Sequence, residues 1–222
     1  MLEVRKTEGD AFEHLHLAVT MTFHALKDSI SGGTVIYLIG GAPRVGKTTL
    51  AHQISARLGI GWISTDALIT VLRAKQVVGI KTEWNASPEA IVDAADWFFP
   101  CLERLIWSLN SLTDSYVIEG VDFLPSHAVK LESQYPVRSV FLRCAAMTPE
   151  HFDAYPGHSL GYANLPDEMR RRFALDIPRW TEFVRQEARR YGCPFVDVSE
   201  DFSTRLVEAA TLLAPDDEAE SP

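Results

Sequence analysis

Gly41, Gly46, Lys47 and Thr48 stand at the spacing G-x-x-x-x-G-K-T within TVIYLIGGAPRVGKTTL, residues 34–50. That order of residue types suits one task. Glycines let the backbone curl so that its N–H groups converge on an anion. A helix opening directly behind them adds the positive end of its dipole. The Lys47 ammonium is then set to bridge the β- and γ-phosphates of a nucleotide, and the Thr48 hydroxyl to ligate Mg2+. Such a loop needs a strand before it and a helix after it. Thr34–Ile39 is an apolar, β-branched run, and Thr48–Leu58 carries Leu50, Ile54 and Leu58 on one stripe with Gly59 as a C-cap. Gly41, Ala42, Pro43, Arg44, Val45, Gly46, Lys47, Thr48 and Thr49 are therefore expected to hold the phosphates.

Other chemistry-bearing residues follow in chain order. Ile60–Ile63 predicts a short strand, Ser64-Thr65-Asp66 a turn and helix cap, and a helix runs on to about Lys75. Asp66 thus lies just past the carboxyl end of a strand, the edge where open parallel sheets bind ligands. Its carboxylate can serve as a helix cap and also meet a substrate hydroxyl. Arg73, two turns on, is a candidate for an anionic substrate group. SYVIEGVD, residues 115–122, predicts a strand closed by Glu119, the pattern that holds Mg2+ directly or through water. Gly120 would let a ligand approach the backbone closely. His127, on a loop or helix start, is expected to be polar surface. Seven arginines fall between Arg170 and Arg190 in an otherwise acidic chain. Arg170, Arg171, Arg172 and Arg179 follow a strand and a Pro-, Gly-, Tyr- and His-rich loop, as a lid closing over phosphates would.

The elements that must position these groups alternate along the chain. A helix over residues 10–29 is expected from Phe12, Leu15, Val19, Phe23 and Leu26, with Asp10 as cap; His14, His16 and His24 read as its solvated face. Residues 76–86 read as loop. Ser87-Pro88 starts a long apolar helix to about Asn110, which Pro100 is expected to kink or break. Trp84, Trp97, Phe98 and Phe99 concentrate there, as core or as the wall of an acceptor pocket. Val137–Cys144 and Pro194–Val198 predict the fourth and fifth strands. Between them a short helix starts at Pro166-Asp167-Glu168, and a second, capped by Asp176 with Pro178 near its start, runs to Gly192. Ser199–Phe202 makes a turn that would flank a nucleobase, and Thr204–Leu213 closes the fold. Five strands alternating with helices imply a right-handed, parallel, three-layer α/β domain.

Composition narrows the function classes. A net charge of −9 over 222 residues argues against nucleic acid and anionic membrane as partners. Part of that charge is an acidic tail, Asp216, Asp217, Glu218 and Glu220, expected to be disordered. Cys101, Cys144 and Cys193 are too widely spaced for a metal site and read as reduced, mostly buried thiols in a cytoplasmic protein. The first residues lack the apolar core of a signal peptide, and no apolar run reaches membrane-spanning length.

GAPRVGKTT, then ISTDALITVLR, VIEGVDFLP and an Arg-rich segment before PFVDVSEDF together resemble the P-loop small-molecule kinases, the nucleoside-monophosphate-kinase-like group. The likeness is nearest to 2-phosphoglycerate-kinase-like proteins, with zeta toxins and chloramphenicol phosphotransferase as relatives, and covers roughly residues 34–213. It implies a sheet in the order 2-3-1-4-5, ATP and Mg2+ as cofactors, and transfer of the γ-phosphate to a hydroxyl of a small metabolite; the chain is expected to act as a monomer or homodimer. By it, residues 41–48 bind phosphate, Thr48 and Glu119 serve the metal, and Asp66 orients or deprotonates the acceptor. Arginines of 170–179 would stabilise the transferred phosphoryl. The implied organisation is an N-terminal helical extension over 1–33 and a kinase domain over 34–213, followed by a tail over 214–222. Within the kinase domain, an acceptor-binding insertion lies at about 76–112 and a lid at about 147–192. One departure bears on the substrate. Gly120 is followed by Val121, Asp122, Phe123, Leu124 and Pro125 where nucleoside monophosphate kinases often carry Gly-Phe-Pro-Arg, which favours another hydroxylated acceptor. A P-loop ATPase, a nucleotide switch or a regulatory module without turnover are the competing readings.

Overall fold

A computed structural model describes residues 33–75, 87–146, 148 and 166–215. The expected helix over 10–29, Trp84, the acidic tail and most of the loop before Pro166 lie outside the described residues. The chain divides into two units, residues 1–33 and 34–222, and all the described elements belong to the second.

Five strands form one parallel sheet: β1 (Ile36–Gly41), β2 (Gly61–Ser64), β3 (Tyr116–Glu119), β4 (Val137–Arg143) and β5 (Phe195–Asp197). Their order is β2-β3-β1-β4-β5. Among the described residues, six helices connect and cover them: α1 (Lys47–Leu58), α2 (Thr65–Ala74), α3 (Pro88–Ser111), α4 (Pro125–Glu132), α5 (Asp167–Tyr191) and α6 (Phe202–Leu213). α1 and α6 pack together on one side of the sheet, and α4 and α5 lie against β4 on the other, with α3 beside α5. All of β1 is buried, because it is covered on both faces; its near-continuous apolar sequence follows from that. Strand β2, at the edge, is only half-buried.

The register aligns the strands' carboxyl ends. Glu119 pairs with Ile39 on one side and Ser64 on the other, Gly41 with Leu142, and Arg143 with Asp197. Three-layer sheet, crossover helices and strand order make this the fold of the P-loop NTPases.

Three local expectations are corrected. Pro100 does not break α3, which runs through it with Phe98, Leu102 and Ile106 buried on a continuous face. A proline in mid-helix removes one hydrogen bond, and that apolar face outweighs the loss. The two helices expected after Pro166 are likewise one, Asp167–Tyr191, continuous through Pro178. Asp176 is not its cap but a buried mid-helix carboxylate, 3.7 Å from Arg172 Nε and 3.5 Å from Arg179 Nη1. The stripe Ala174, Ile177, Trp180, Val184 and Ala188 runs unbroken past the proline. Strand β3 ends at Glu119, as expected, and the stretch read as loop or helix start around His127 is a helix, α4, beginning at Pro125.

Candidate active site

The turn from β1 into α1 has the backbone of an anion cradle. Gly41 adopts φ 131°, Arg44 68° and Gly46 93°. A Cβ at Gly41 would stand 2.1 Å from the Leu142 carbonyl oxygen, so the close passage of β4 admits only glycine there. Arg44 holds a left-handed conformation that non-glycine residues seldom take, a strain typical of loops that clamp ligands. Lys47, the first residue of α1, is buried at 6 % exposure and its Nζ donates to the Ala42 carbonyl at 2.7 Å. Burial lowers its pKa, opposed by the negative charge of Glu119, Asp66 and Asp122. Those three carboxylates therefore face the ammonium.

Thr48 Oγ1 donates to Glu119 Oε1 at 3.2 Å, joining the start of α1 to the end of β3. Glu119 is buried at 4 % exposure. A hydroxyl and a carboxylate side by side suit Mg2+, which takes few protein oxygens and completes its shell with water and substrate phosphate. Among the described residues, no group of three or more His, Cys, Asp or Glu could hold a metal.

The acceptor side is built by β2, β3 and the segment after β3. Ser64 caps α2, its side chain accepting from the Asp66 N–H at 3.3 Å. Asp66 is therefore not the cap but an exposed carboxylate in the helix's first turn. Thr65, with 0 % exposure, donates through Oγ1 to Asp122 Oδ2 at 2.5 Å. A Cβ on Gly120 would lie 1.8 Å from that same Thr65 oxygen. The space beside the glycine is therefore taken by Thr65. Gly120→Ala is expected to cost about 2 kcal/mol or more by overpacking, measured as a lower urea midpoint against wild type.

Sequence reasoning missed Asp122. Its signal was only a second acid three residues beyond Glu119. Burial pushes its pKa up to about 6, with Asp66 adding to the rise and Thr65, Lys47 and Arg73 opposing it. The folded pKa exceeds the unfolded one, so the charged form is disfavoured in the fold. Stability is lost as pH climbs from about 4 to 6 and regained as it falls. Asp122→Asn keeps an oxygen for Thr65 and removes the charge. It is expected to raise Tm by several degrees at pH 8, on the order of 1–3 kcal/mol, with the gain gone below pH 4. Equal melting of both proteins at pH 8 would refute this.

Arg73, exposed on α2, acts electrostatically on Asp122 and so belongs to this side of the site. The four candidate lid arginines share the first half of α5. Arg170 pairs with Asp167, Arg172 and Arg179 with Asp176, and Arg171 is exposed. None of them is among the charged groups acting on Lys47 or Asp122. At the far end of the sheet edge, Asp197 accepts from Arg143 and Ser199. Ser199 Oγ in turn accepts from the Ala145 and Ala146 N–H groups at 2.7 and 3.2 Å. This ties the turn after β5 to the residues leaving β4. Beside it, Phe202 packs over Gly46 of the cradle.

His127 is not polar surface. It is 8 % exposed, stacks on Phe99 with ring centroids 4.5 Å apart, and its Nε2 lies 2.8 Å from Asp96 Oδ1. It pins α4 to α3. Phe98 and Phe99 are core residues, as one of their two readings had it. Cys193 is buried and Cys101 and Cys144 half-buried, all free thiols.

No protein-family model matches the sequence, and no curated protein matches it. Solved structures similar in fold include kinases. A gluconokinase from Sinorhizobium meliloti 1021 is 18 % identical, with 82 % of this chain and 92 % of that one covered and a TM-score of 0.49. A shikimate kinase from Bacteroides thetaiotaomicron is 11 % identical over 80 % and 94 %, with a TM-score of 0.46. A shikimate kinase from Aquifex aeolicus vf5 is 17 % identical over 79 % and 92 %, with a TM-score of 0.41. At these values nothing about this chain's chemistry follows from them.

Proposed function

We propose that the protein is a kinase that transfers the γ-phosphate of ATP to a hydroxyl of a small metabolite. One observation carries this reading: a phosphate-type loop and an exposed carboxylate, Asp66, meet at one sheet edge around the buried Lys47. Phosphoryl transfer needs alignment and charge neutralisation more than covalent chemistry. Residues 41–49 bind the triphosphate, and Lys47 neutralises charge on the β- and γ-phosphates. Thr48 and Glu119 would hold Mg2+, which, when bound, supplies Lewis-acid neutralisation of the phosphates. Asp66 orients the acceptor hydroxyl and takes its proton, with Arg73 and Gly120 at the acceptor side. One or two of Arg170, Arg171, Arg172 and Arg179 meet the transferred phosphoryl.

The test is ADP release from ATP and Mg2+ across a panel of hydroxylated metabolites. Turnover that depends on an acceptor is expected. Hydrolysis at one rate with and without acceptors would favour an ATPase. Nucleotide binding with no turnover would favour a regulatory module.

A further inference from the structure

Asp122 belongs to no motif, yet it stands among the acceptor-side groups. Oδ2 accepts from the buried Thr65 hydroxyl at 2.5 Å. Oδ1 takes no donor from the described residues and is not sealed from solvent. The charged groups facing this carboxylate are Asp66 and Arg73 from α2 and Lys47 from the start of α1. A carboxylate oxygen offers two lone pairs, and an enclosed one gains by meeting a donor. Asp122 therefore presents one anchored oxygen and one open acceptor beside Asp66. An anionic group of a substrate would be repelled by two neighbouring carboxylates. A hydroxyl would donate to one of them while its neighbour donates to the other.

We propose that Asp122 determines acceptor specificity: its open oxygen takes a hydroxyl adjacent to the one that Asp66 orients, so the pair selects acceptors carrying two neighbouring hydroxyl groups. This rests on the kinase reading above. A site built to hydrogen-bond a substrate hydroxyl rejects the analogue lacking it, because its own polar group is then left unpaired. Here Oδ1 remains in reach of water when unpaired, so the discrimination is modest, about tenfold or more in kcat/KM.

The experiment compares wild type, Asp122→Asn and Asp122→Ala with ATP and Mg2+ on matched acceptors. The pairs are glycerol with 1,3-propanediol, ethylene glycol with ethanol, and cis-1,2-cyclohexanediol with cis-1,3-cyclohexanediol. Wild type is expected to favour the member with adjacent hydroxyls, chiefly through KM. In both variants the ratio between members should fall toward one. Asn replaces the open acceptor with an amide donor while keeping the Thr65 contact, so its loss of preference is not a folding effect; a thermal melt of each variant checks this. A ratio that survives in both variants overturns the assignment, as does a better rate with acceptors bearing one hydroxyl or a phosphate. In those cases acceptor-dependent transfer persists and the kinase reading stands. ATP consumption indifferent to every acceptor overturns that reading and this assignment together.

Discussion

Lys47→Ala is expected to lower kcat/KM for ATP by about a hundred- to a thousandfold, the loss typical of removing one preorganised charge-stabilising group. The reason lies in what surrounds the ammonium. Glu119, Asp66 and Asp122 all act on it, and its Nζ is held by the Ala42 carbonyl at 2.7 Å within the loop. Without the cation, the charge of Glu119, Asp66 and Asp122 would stand uncompensated by Lys47 against the incoming phosphates. Affinity for ATP should fall together with turnover, because the contact exists in the ground state as well as the transition state. Isothermal titration with ATP and Mg2+, beside coupled ADP release, measures both. Lys47→Met keeps most of the buried stem and separates loss of charge from loss of packing. Wild-type ATP affinity in both variants would remove Lys47 from the phosphate site.

Asp66→Asn is expected to cut acceptor phosphorylation by about a hundred- to ten-thousandfold, the range for a positioned general base. ATP affinity should stay near wild type. The helix it sits on does not depend on its charge. Ser64 is the cap, its side chain accepting from the Asp66 backbone N–H, and Thr65 anchors the first turn to Asp122. Asn keeps that backbone bond and forfeits the carboxylate's interaction with the helix dipole, about 0.3–1 kcal/mol, together with its charge effects on Lys47 and Asp122. The effect therefore falls on kcat for transfer and not on folding. Unchanged phosphorylation by Asp66→Asn would take that role from Asp66.

Much of the sheet was legible because its strands are runs of one chemistry. Ile36, Leu38 and Ile39 are fully buried, and a strand covered on both faces must be apolar at consecutive positions. The cradle was legible because its glycines answer a local demand, as Gly41 does where the Leu142 carbonyl passes close by. Helix ends set by distant packing were harder to read. Asp176 followed shortly by Pro178 is a start signal in isolation. In the fold a continuous buried stripe carries α5 through both. His127 shows the same limit: its burial depends on Phe99 and Asp96 of another helix.

The sequence by itself determined the α/β class, the phosphate-type loop and the placing of Asp66 just past one apolar strand and of Glu119 at the end of another. Each follows from spacing, periodicity or turn chemistry within a few residues. Only the tertiary structure decided that Thr65 fills the space above Gly120, and that Asp122 faces Asp66, Lys47 and Arg73. Those contacts join segments far apart along the chain, such as Thr65 with Asp122 at a separation of 57. Their existence depends on β2 and β3 lying side by side in register, and no local pattern encodes that pairing.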